Sequence, residues 1–308
     1  MSVDDREALQ ELQRRFSTLL PEAYQDRYED LQPTPMGSAG VRFGDDGKVA
    51  WDQMWGSFCD LAMAGGPPHK GRLLEPARPE EIEADRKGYA AVVAEVCRGI
   101  GMVTDLTPVE SSRPGWIRMG CATAGMAAWL LRAITIENVA VRAEGASLEL
   151  PAAPNYRPLK EIRNVITVIA KTTHYWVGHM SVMHRQTIAD LLAGMDDESP
   201  LIRPAYAGDD GGCGARAGLA DSVSVALQRE TGLTRSPHRH QDWLGLECAT
   251  PRAAVWMMRM LVAANVLARR EEHVLFVPIN SEVDPDGSIV SDSVALVHRL
   301  SRSSHAVL

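Results

Sequence analysis

The sequence predicts an α/β protein, with α+β as its alternative. It reads as internally duplicated strand–helix–strand units forming two pseudo-symmetric lobes with a long connecting helix. The main observation is an ungapped internal repeat. Residues 116–151 (WIRMGCATAGMAAWLLRAITIENVAVRAEGASLELP) align with 243–278 (WLGLECATPRAAVWMMRMLVAANVLARREEHVLFVP), and 13 of 36 positions are identical. Unrelated segments would share about two or three. Two further observations support the prediction: short alternating stretches flank an apolar helical run in each copy, and a helical stripe separates the copies.

The elements follow in chain order. The N-terminal stretch MSVDDREALQELQRRF is charged and amphipathic and suits a helix. FGDDG (43–47) suits a hairpin turn and is answered by AGDDG (207–211). A helix-like segment and a Pro-His follow each turn: Pro68-His69 in the first half, Pro237-His238 in the second. Residues 72–115 then read as an insertion peculiar to the first half, a charged helix (PEEIEADRKGYAAVVAEVCRG) plus a connector. In the repeat, WIRMGC alternates as a short strand, Thr123 or Thr250 caps the helix, and that helix is expected to end near Arg142 or Arg269. SLELP or HVLFVP supplies the closing strand, which a proline ends. Between the copies, Ile162, Ile166, Ile169, Thr173, Trp176, Met180 and Met183 form an apolar helical stripe, against a competing β-branched run at 165–170. The expected organisation is lobe one at 1–157, a connecting helix at 158–195 and lobe two at 196–308. The tail SRSSHAVL is expected to be mobile.

Composition narrows the function classes. The chain has 308 residues, 45% of them hydrophobic, and a net charge of −8. An acidic chain without a long Lys/Arg patch is not expected to bind nucleic acid. The apolar stretch 124–141 is interrupted by Arg132, Glu137 and Asn138, so no membrane span is expected. Cys59, Cys97, Cys121, Cys213 and Cys248 are odd in number and widely spaced, which opposes a disulfide framework. With no secretory signal visible, a cytoplasmic location is expected.

Four groups of residues could carry chemistry. His238, His240 and Asp242 place two imidazoles on one face of an extended segment beside a carboxylate. That spacing suits zinc, iron or manganese, or a histidine general base. The five-residue pattern is similar to the start of the metallo-β-lactamase metal motif, but Trp243 stands where that motif continues with histidine, so the family is not assigned. Lys171, His174 and Arg185 share a polar helical stripe suited to an anionic substrate, while His179 falls about 140° around the axis from His174. Asp209 and Asp210, with His69, are further substrate-side candidates, and Cys213 sits in a glycine-rich loop. Arg132/Arg259, Asn138/Asn265, Arg142/Arg269 and Glu144/Glu271 recur in both copies and suit structural clamping, with each glutamate a local partner for the second arginine.

Together these features lead to the expectation of an enzyme acting on a small polar or anionic metabolite at an inter-lobe cleft, by metal-assisted hydrolysis or lyase chemistry. The alternative is a non-catalytic binding or accessory protein. A small-molecule substrate and self-association into a homo-oligomer are the expected partnerships; nucleic acid and membrane are not.

Overall fold

The computed structural model describes residues 2–29, 41–53, 60–68, 71–206 and 213–303. The chain divides into two compact units: Pro21–Ala189, and Met1–Leu20 together with Asp190–Leu308. Helix α1 (Val3–Leu19) opens the chain with a capping box, in which the Ser2 hydroxyl accepts from Asp5 N at 3.0 Å. Its stripe of Leu9, Leu12, Phe16 and Leu19 is buried.

In the Pro21–Ala189 unit, FGDDG forms the expected turn: Phe43 pairs with Val49 and Gly47 takes φ 75°. Helix α2 (Pro79–Ala84) leads into α3 (Arg86–Val103), whose first turn is capped by Asp85 Oδ1 on Gly88 N at 2.8 Å. Strands β1 (Pro108–Glu110) and β2 (Trp116–Gly120) follow, then helix α4 (Ala124–Ile136), β3 (Arg142–Glu144), β4 (Ser147–Pro151) and helix α5 (Arg163–Gly178). The sheet order is β1-β2-β4-β3, antiparallel throughout.

Thr123 caps α4 through Met126 N at 3.1 Å, and the helix is buried on most faces. It does not run on to Arg142. Asn138 takes φ 62°, a left-handed conformation that asparagine tolerates, and this ends the helix. Val139 then pairs with Leu74, and Arg142 opens a strand. The β-branched run 165–170 is helical in α5, where burial overrides its strand propensity: Val165, Ile166, Val168 and Ile169 are all fully buried. The central helix is also interrupted. α5 stops at Gly178, and α6 (Val182–Glu198) begins three residues after His179.

In the second unit, α7 (Cys213–Thr231), β5 (Thr234–Arg235), β6 (Trp243–Glu247), α8 (Pro251–Ala263), β7 (Arg269–Glu271), β8 (Val274–Pro278) and α9 (Ser288–Ser303) follow the same succession. The sheet order is β5-β6-β8-β7, again antiparallel. Helix α1 belongs here rather than with the first half. The Phe16 ring lies 5.8 Å from the Arg259 guanidinium on α8, and Arg15 pairs with Glu198 at 2.7 Å. Mixed helices with antiparallel four-stranded sheets fit an α/β or α+β class, and the antiparallel pairing favours the latter.

The two units match in detail at an offset of 127 residues. Trp116 pairs with Pro151 and Trp243 with Pro278; Arg142 pairs with Glu149 and Arg269 with Phe276. Thr250 caps α8 as Thr123 caps α4, and Asn265 repeats the φ of 62° at Asn138. The match continues upstream of the repeat visible in the sequence. Thr104 Oγ1 donates to Ile100 O and accepts from Leu106 N; Thr231 Oγ1 does the same with Leu227 and Leu233. Helices α3 and α7, including the stretch expected to be an insertion, therefore precede their sheets in the same way. Among the described residues, no helix is long and apolar enough to cross a membrane.

Candidate functional site

The densest polar group of the second unit centres on Glu271, which ends β7 beside the turn at Glu272 (φ 52°). Its Oε1 accepts from His240 Nε2 at 2.7 Å and from Arg269 Nη1 at 2.8 Å. His238 Nδ1 lies 3.9 Å from Oε2. The Glu271 side chain is 4% exposed and that of Arg269 is fully buried, with its guanidinium stacked 4.1 Å from the Phe276 ring and 4.9 Å from Trp243. Burial alone would raise the Glu271 carboxyl. The His240 hydrogen bond and the Arg269 charge outweigh it and hold the carboxyl down at about 2. A histidine hydrogen-bonded to an ionised carboxylate is held in one orientation, which serves either a structural clasp or a general base.

His238 and His240 thus converge on Glu271. Asp242 takes φ 60° in the turn before β6, and its carbonyl accepts from Ile279 N at 2.9 Å. Among the described residues, no three His, Cys, Asp or Glu side chains are arranged to hold a metal ion. Glu271 was recognisable in the sequence as the local partner of Arg269; its link to His240 was not.

The first unit carries a corresponding cluster. Glu149 on β4 accepts from Ser111 Oγ at 2.6 Å and Arg113 Nη1 at 3.4 Å, with Arg142 Nε 3.7 Å away. Arg142 lies 5.7 Å from the Trp116 ring, as Arg269 does over Trp243. At the 127-residue offset, Ser111 takes the place of His238, Arg113 that of His240 and Gly115 (φ 85°) that of Asp242. The carboxylate itself has moved one strand over. Glu144, the counterpart of Glu271, is 76% exposed, and Glu149 occupies the position of Phe276.

Lys171 is fully buried on α5, with Nζ 2.6 Å from Glu137 Oε1, which also accepts from Ala62 N at 3.0 Å. His174 is exposed at the end of the same helix, and its Nε2 lies 3.1 Å from His179 Nε2. Arg185 sits half-buried in the first turn of α6. His69, Asp209, Asp210 and the Cys213 side chain lie outside the described residues, as does the end of the C-terminal tail. Cys121 and Cys248 lie two residues before the N-caps of α4 and α8, and burial pushes their thiols up to about 11 and about 12.

The fold and these clusters define a protein of two α+β units, each with a buried carboxylate held between its sheet and the loop that joins the sheet's first two strands. Comparison with known proteins adds no relative: no family model, curated protein or solved structure matches the chain.

Proposed function

We propose that the chain is a non-catalytic binding protein made of one duplicated module, with residues 72–178 and 199–303 as its two copies. The supporting observation is the equivalence of the carboxylate clusters. Ser111, Arg113 and Arg142 hold Glu149; His238, His240 and Arg269 hold Glu271. An arginine cannot serve as a general base at neutral pH, yet Arg113 fills the place of His240. What the two positions share is a hydrogen-bond donor for a buried carboxylate, which is a structural task. The exposed Val177, Val182 and Met183 at the α5–α6 corner supply an apolar, adaptable contact surface for a ligand or partner subunit.

The enzyme reading keeps one specific observation in its favour. A 2.7 Å contact between His240 and an ionised Glu271, beside the half-exposed His238, is the arrangement a general base requires. On that reading His240 would take a proton from a small polar or anionic metabolite. A zinc, iron or manganese ion held by His238, His240 and Asp242 would have to draw His240 Nε2 away from Glu271 or use its other ring nitrogen.

Incubation with a panel of small anionic metabolites, read by thermal shift and product analysis, separates the two. The binding reading predicts stabilisation without turnover, equal in wild type and His240→Arg. Turnover abolished by His240→Arg would replace it with the enzyme reading.

A further inference from the structure

We propose that His174 and His179 form a two-imidazole site for a zinc-class divalent ion, separate from the Glu271 cluster and independent of the binding reading. In a continuous helix these residues would face directions about 140° apart. α5 ends at Gly178, however, and His179 is its C-cap, with φ −121° and ψ 6°. Its N–H still bonds Tyr175 O at 3.1 Å, while its ring swings back over the last turn. The result is a His174 Nε2 to His179 Nε2 separation of 3.1 Å, with both residues exposed.

That separation matches the bite of a metal chelate. Zinc–imidazole bonds of about 2.0–2.1 Å set two ligand nitrogens ~3.3 Å apart at a tetrahedral angle and ~2.9 Å at a right angle. The rings are also held in place. The Tyr175 ring lies 5.0 Å from that of His179 and the His174 ring 4.9 Å from it, edge-on. Tyr24 donates its hydroxyl proton to Asp60 at 2.6 Å and so accepts from Tyr175 at 2.8 Å, which fixes the tyrosine ring that His179 packs against.

The neutral pair holds one proton in an Nε2–H···Nε2 bond. Ion binding requires that proton to move through solvent to Nδ1 of the same ring, after which both Nε2 lone pairs are available and no net proton is lost. Imidazole donors suit zinc, copper or nickel over magnesium or calcium. Two protein ligands leave the remaining positions open to water or to a donor from a bound molecule.

Zinc chloride titration by calorimetry, with imidazole 15N chemical shifts read in parallel, tests the site. One zinc per chain is expected, with both Nε2 resonances of His174 and His179 shifting. His174→Ala and His179→Ala should each weaken binding at least about tenfold, whereas His273→Ala should leave it unchanged. Circular dichroism checks that the variants are folded, and His174→Gln with His179→Gln provides a second pair if the alanine variants are not. Absence of zinc binding by the wild type overturns the assignment. So does affinity that persists in the double variant, or zinc binding that leaves the two imidazoles unshifted.

Discussion

At the scale of single residues, buried charges govern the chemistry of this protein. Glu271 remains ionised because His240 and Arg269 together outweigh the penalty of its burial. Its pKa lies below the ordinary carboxyl value of 4.5, so the stability it contributes is present above that value and lost as pH falls toward about 2. His240→Ala removes a charge-assisted hydrogen bond, worth about 1.5–3 kcal/mol. With the largest of the interactions that lower it gone, the Glu271 carboxyl should titrate at higher pH. Acid-unfolding curves of the variant should therefore begin to fall at higher pH than wild type; coincident curves would show that His240 does not hold Glu271. Lys171 and Glu137 are more sensitive still, since both are fully buried. Lys171→Met strands a carboxylate in the interior and should destabilise the fold by about 3–5 kcal/mol in urea unfolding. In sequence Lys171 looks like a substrate contact; in the structure it is buried against Glu137. Periodicity placed Lys171 on a helical face; what packs over that face is decided by tertiary structure.

At the scale of elements, the features set by local chemistry were legible in the sequence. Thr123 and Thr250 cap their helices as their position before an apolar run requires. WIRMG alternates between buried and exposed positions, and SLELP and VLFVP are strands that end at a proline. Strands β3 and β7 were hidden because three residues such as Arg142–Glu144 carry no alternation to read. The early end of α4 and α8 rests on Asn138 and Asn265, which repeat in the alignment but signal a left-handed residue only once the backbone is seen. Asn265→Val should cost about 2–3 kcal/mol, from left-handed strain on a β-branched residue and the loss of its bonds to Asp196 at 2.9 Å and Ser199 O at 2.8 Å. Asn265→Gly should cost less, because glycine relieves the strain. Chemical denaturation of both variants tests that order. Gly99 matters for a different reason: a Cβ there would come within 2.1 Å of Ile166 Cδ1, so Gly99→Ala should loosen the packing of α3 on α5 by about 1–3 kcal/mol.

At the scale of the whole molecule, the extent of the repeat was only partly legible. Between 86–103 and 213–230 the identities are few, Ala90/Ala217 and Val96/Val223, so the helix α3 read as an insertion. Hydrogen bonds nevertheless correspond at the same offset, as at Thr104 and Thr231. The same offset assigns His240 the place of Arg113, and on that assignment rests the proposal that the His238–His240 pair is a clasp rather than a catalytic centre. A histidine pair at ligand spacing reads as a metal motif until its carboxylate partner, more than thirty residues away on another strand, is known. The most direct measurement is the melting temperature of His240→Arg beside His240→Ala. If the position serves to hold a buried carboxylate, His240→Arg should melt within about 3 °C of wild type and His240→Ala about 4–10 °C lower. Equal or greater destabilisation by arginine, with the fold otherwise intact, would contradict the equivalence of the two clusters.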